Sequence, residues 1–151
     1  MAENPGEYLA AESINARWGY AARAGFTALP NALIHAQAQL GLSTNDMVVL
    51  MNLLSHWWYR TRMAFPGTAT IAKRTGLKIR TVQRSIQKLE SLKLIEVHRI
   101  AGKGAGYNFA GLIAVAEELA EKHEWRSGKV EQRQRPISLE DTFDIVGFNE
   151  V

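Results

Sequence analysis

Thr70-Ile71-Ala72-Lys73-Arg74-Thr75-Gly76-Leu77-Lys78-Ile79-Arg80-Thr81-Val82-Gln83-Arg84 is the stretch whose reading decides the fold. Its first part predicts a short helix carrying Ile71, Ala72 and Thr75, with Thr68 just upstream placed to cap it. Gly76 stops that helix, because a residue without a Cβ takes a left-handed turn at no steric cost. Three residues later a second helix opens, predicted over 79–92. Ile79, Val82, Ile86 and Leu89 recur at steps of three and four, which lines them along one face. Arg80, Thr81, Gln83, Arg84, Gln87 and Lys88 are left for the other faces. Ala72 is small where the two helices touch, and Val82 pins the second helix to a core. The unit is two short helices joined by a tight turn.

Working outward, Leu94 to Ile100 reads as a strand and 101–106 as a flexible glycine-rich turn. Tyr107-Asn108-Phe109 returns as a second strand, and a final helix is expected over 112–122. Upstream, Phe65-Pro66-Gly67 breaks the chain. Ser43 and Asp46 have the spacing of a capping box, flanked by Leu42 and Met47 as a hydrophobic staple. Met47, Leu50, Leu54, Trp57 and Trp58 then form one apolar stripe. The Trp57–Trp58 pair is read as closing a core, with a nucleotide-stacking platform as the alternative. Pro30, Leu33, Ile34, Gln37 and Leu40, ended by Gly41, predict a first helix over 30–40. The fold class is mainly α with a small β-hairpin. The expected organisation is a loosely held arm over 1–24 with a short helix around Leu9 to Arg17, a domain over 25–125, and a disordered tail over 126–151.

Composition narrows the function. The chain has 151 residues and no cysteine, which rules out a disulfide framework, a zinc finger of the cysteine type and a thiol nucleophile. No secretory signal stands at the N-terminus, and the apolar runs fall far short of the ~18 residues of a membrane span. A cytoplasmic protein with no membrane association is expected. The net charge is only +3, but it is unevenly placed. Between His56 and Phe109 eleven Lys and Arg face only Glu90 and Glu96, a local excess of nine positive charges. Such a basic centre between acidic flanks is the electrostatic footprint of a polyanion's partner.

Phe65 to Arg99 closely resembles winged helix-turn-helix domains, in the pattern P-x-x-x-x-I-A-x-x-T-G-L-x-x-R-T-V-Q-R-x-I-x-x-L-E-x-x-x-L-I. The likeness is greatest to those of plasmid and phage replication initiators and of mobile-element regulators. Phe26-Thr27-Ala28-Leu29-Pro30 and the capped helix at 43–58 are also similar to what precedes the motif in such proteins. The resemblance implies that the second helix enters the major groove of double-stranded DNA. It assigns Arg80, Thr81, Gln83 and Arg84 to base and near-base contacts, and Gln87 extends that set. Arg pairs with guanine O6/N7 and Gln with adenine N6/N7, each worth roughly 1–3 kcal/mol of discrimination. Thr68, Thr70, Lys73, Lys78, Lys88, Arg99 and the wing's Lys103 suit phosphates, which fix register without reading sequence. One position departs from the pattern. Lys78 stands where such domains have a capping Ser or Thr, at a cost of about 1 kcal/mol, and a phosphate contact by Lys78 is expected to compensate in the complex.

The expected function is a transcriptional regulator that binds DNA as a homodimer, with a replication or partition factor as the alternative. A protein-docking module is the alternative of another class. The acidic, apolar segment Ile137 to Val151 is either a partner-binding segment or a solubilising tail. Gly102-Lys103-Gly104-Ala105-Gly106 lacks the spacing of a phosphate loop. His35, His56, His98 and His123 lack metal-ligand spacing, although His98 could approach DNA from the wing. No cofactor, metal or catalytic set is expected.

Overall fold

The computed structural model describes residues 14–122. Residues 14–18 are helical and Gly19–Ala24 form a 3-10 helix with no buried residue. There follow α1 (Asn31–His35), α2 (Thr44–Leu54), α3 (Thr68–Thr75) and α4 (Ile79–Ser91). The hairpin β1 (Glu96–Ile100) and β2 (Gly104–Asn108) precedes the last helix, α5 (Ala110–Lys122). This is the expected fold class: mainly helical, with an antiparallel two-stranded wing after the helices. The expected tail over 126–151 and the first part of the arm lie outside the described residues.

α2 is the hub. It buries Met47, Val49, Leu50, Leu53 and Leu54 and packs chiefly on α4, with α3 against both. The capping box forms as the spacing predicts. The Ser43 hydroxyl accepts from the Asp46 amide at 3.2 Å, and the Asp46 carboxylate accepts from the Ser43 amide at 2.8 Å. The flanking Leu42 and Met47 are both buried. α2 ends at Leu54, however, so Trp57 and Trp58 stand beyond the helix and part company. Trp57 tilts against the buried Phe109, with ring centroids 5.2 Å apart, whereas Trp58 is 77% exposed. Core closure thus describes Trp57 alone.

α1 is shorter than the predicted 30–40. It stops at His35 and the chain continues in turns to Gly41, which adopts φ +72°. Thr68 does not cap α3: Gly67 is the N-cap, with no side-chain bond, and Thr68 is the first helical residue. Gly76 takes the left-handed conformation at φ +71°, as the tight turn requires. α4 begins at Ile79 as expected and ends one residue early. Val82, Ile86 and Leu89 are buried, but Ile79 is 49% exposed, because it stands at the edge of the buried arc in the first turn.

α4 closes with a Schellman arrangement, in which the Lys93 amide donates to Glu90 O and the Leu94 amide to Leu89 O. Lys93 therefore holds φ +60°, the one non-glycine residue with positive φ among those described. Gly111, in the first turn of α5, sits directly on this loop. A Cβ at Gly111 would lie 1.9 Å from the Lys93 carbonyl oxygen.

The wing corrects the expected six-residue turn. Residues 104–106 belong to β2, leaving only 101–103 as the loop. Gly106 serves packing rather than turning, since a Cβ there would meet the Phe65 ring at 2.7 Å. Ala64 pairs with Tyr107 in an isolated bridge through amide–carbonyl bonds of 3.1 and 2.8 Å, a one-residue third strand. That bridge ties the chain entering α3 to the wing, and so sets the wing beside α4.

Candidate nucleic-acid interface

α4 exposes one side by the same periodicity that buries its other side. Arg80, Gln83, Arg84 and Gln87 are all exposed, and at helical spacing they share an arc of roughly 100°. Thr81, at the flank of that arc, is half-buried. Gln83 and Gln87 look into a groove of roughly 560 Å³ between α4, the start of α3 and the wing. Thr68 reaches the same groove from α3 and Arg99 from β1. The structure thus brings two base-reading and two phosphate-binding assignments together in one place. Arg80 and Arg84 are exposed on α4 outside that groove.

The remaining assignments divide by element. Thr70 and Lys73 are exposed on α3. Lys78 is exposed at the N-cap of α4, where its side chain caps nothing. Lys103 is exposed at the wing tip between Gly102 and Gly104, whose positive φ values of 74° and 84° close the short loop.

Lys88 is half-buried and pairs within the domain. Its ammonium lies 2.7 Å from the carboxylate of Asp46, which is only 3% exposed. Burial alone pushes the Asp46 carboxyl upward. The Lys88 ammonium, the Ser43 amide and the hydroxyls of Ser85 and Ser43 outweigh that and hold it at about 2. One carboxylate therefore caps α2 and anchors α4, fixing the helix that carries the exposed Arg and Gln.

Two features of the groove escaped the sequence reading. Glu90 lines it beside Gln87 and Arg99, and its spacing of three from Gln87 and seven from Gln83 was the available signal. Tyr107 forms part of its floor, and burial raises the phenol above its ordinary value. His98 stands beside Glu96 on the same strand, Nε2 to Oε1 at 3.2 Å.

Together these features define a winged helix-turn-helix, with α3 and α4 as the two helices and the hairpin as the wing. Residues 40–95 match a family model described as "Helix-turn-helix domain". The match ends just before β1, so the wing comes from the structure. No curated protein matches the chain significantly. Family match and geometry together support a helix-turn-helix domain of the DNA-binding kind. Among the described residues no helix is long and apolar enough to cross a membrane, and no group of three or more His, Asp or Glu is placed to hold a metal ion.

Proposed function

We propose that this protein binds double-stranded DNA at a specific sequence and acts as a transcriptional regulator, without catalysing a reaction. The observation that carries the reading is the α4 surface. Four exposed side chains, Arg80, Gln83, Arg84 and Gln87, share one narrow arc beside a wing that carries Arg99 and Lys103. The major groove is wide enough to admit a helix, and these residue types form bidentate bonds with guanine and adenine edges. Thr70, Lys73 and Lys78 flank them as phosphate contacts. A homodimer on an inverted repeat would double the contact, the usual way such domains gain affinity.

Site selection from a random duplex library, followed by a salt titration of the best sequence, tests this. An inverted repeat with half-sites about one helical turn apart and a steep salt slope is expected. Direct repeats would instead favour a replication or partition factor, in keeping with the resemblance to plasmid and phage initiators. No enrichment, with binding lost at physiological salt, would refute sequence-specific recognition in favour of a protein-docking module.

A further inference from the structure

The loop from His56 to Met63 does not line the groove between α4, α3 and the wing, and it meets the helix-turn-helix at Arg74 of α3. Ala64, which follows it, pairs with Tyr107, and the loop's side chains reach Asn108, Phe109 and Ala110 at the base of the hairpin. The wing tip is at the hairpin's other end. Trp58 and Tyr59 are 77% and 63% exposed, two large rings side by side on a surface that would ordinarily hide them. The Arg62 guanidinium lies 5.1 Å from the centroid of the Tyr59 ring.

Three clefts of roughly 530, 340 and 330 Å³ follow one another along this loop, and Trp57 lines all of them. Trp58 is shared by the first and second, and Arg60 by the second and third. Each cleft has a cation: Arg74 in the first, Arg60 in the second, Arg60 and Arg62 in the third. In the first, Arg74 donates to His56 Nε2 at 2.8 Å. Glu117 is the one carboxylate among the side chains lining the three.

We propose that this track binds single-stranded nucleic acid, separately from the duplex site. Unpaired bases stack on exposed aromatic faces while cations follow the backbone, a mode that tolerates any sequence. Paired bases have no free face to offer Trp58 and Tyr59, so duplex is excluded. An apolar peptide helix fits less well, because it needs a continuous groove and this track is divided by Trp58 and Arg60. Exposed rings with cations beside them along one track instead suit a strand of bases and phosphates. The inference goes beyond the duplex reading and does not depend on it.

The test uses the full chain and a fluorescein-labelled oligothymidylate, which cannot pair with itself, read by anisotropy and by tryptophan quenching. Binding with quenching is expected, and it should persist when the duplex from site selection is added. Trp58→Ala combined with Tyr59→Ala should weaken it at least about tenfold. Arg60→Ala combined with Arg62→Ala should lower the slope of log K against log salt by about 1.4. Neither pair should change duplex affinity, and all four side chains are exposed enough for the variants to fold, checked by melting temperature. The proposal is overturned by failure to bind, by binding indifferent to Trp58 and Tyr59, or by displacement by the duplex. It is equally overturned if a synthetic peptide of residues 137–151 occupies the track and oligothymidylate does not.

Discussion

Replacing Asp46 by Asn removes one charge and almost no volume, and it isolates the ion pair that holds α4 against α2. The amide oxygen of Asn can still accept from the Ser43 amide, so that half of the capping box survives. What disappears is the attraction to Lys88, 2.7 Å away. The native carboxyl is held at about 2, against an ordinary value of 3.8, by Lys88 first and then by the Ser43 and Ser85 hydrogen bonds, a net stabilisation of about 2 kcal/mol. Because the folded value lies below the unfolded one, the native state binds fewer protons between them. The stabilisation is therefore complete above about pH 4 and lost as pH falls toward 2. Urea unfolding followed by circular dichroism should show Asp46→Asn less stable by about 2 kcal/mol at pH 7, with the two proteins converging below pH 4. A deficit that stayed constant with pH would assign the loss to the altered cap. No deficit at pH 7 would mean that desolvation cancels the pair, as it does for many buried ion pairs.

The seat of Gly111 on Lys93 makes two opposite predictions. Gly111→Ala should destabilise by about 3 kcal/mol or more in the same urea assay, since backbone blocks the new methyl. Lys93→Gly should stabilise by about 1 kcal/mol by relieving a left-handed residue, and an unchanged or lower midpoint would argue against strain there. On the DNA face, Arg84→Ala should relax preference at one base pair by roughly 1–3 kcal/mol, while Lys73→Ala should weaken all sequences alike and lower the salt slope by about 0.9, both measured by competition binding. Lys78→Ser should raise thermal stability through the restored cap yet weaken DNA binding; a gain in stability at unchanged affinity would dismiss the phosphate contact.

Where local rules and tertiary packing agreed, the structure was legible in advance. The capping box at Ser43 and Asp46, the left-handed Gly76 and the course of α4 all follow from backbone chemistry within a few residues. The exposed arc of Arg80, Gln83, Arg84 and Gln87 follows from the same periodicity. The sequence was silent where distant parts of the chain decide. Lys88 resembles any outward cation until Asp46, forty-two residues earlier in sequence, is brought beside it. Gly106 looks like a turn residue unless the ring of Phe65 is known to occupy its side-chain space. Trp57 and Trp58 differ because only one of them meets Phe109, and adjacency in sequence carries no trace of that. Thr68 can cap a helix, but it is the first residue of α3, and the N-cap falls on Gly67, where no side-chain bond forms.

The contact between Gly111 and Lys93 also gives α5 a mechanical meaning. With thirteen residues, α5 is a rod about 20 Å long, and its inner end abuts the loop that terminates the helix bearing Arg80 and Arg84. There is no compressible side chain at that joint, only backbone against backbone. A tilt of about 5° about this fulcrum carries the far end, at Lys122, through about 2 Å. A shift of α5 is therefore passed, backbone to backbone, to the end of α4, the helix proposed to enter DNA.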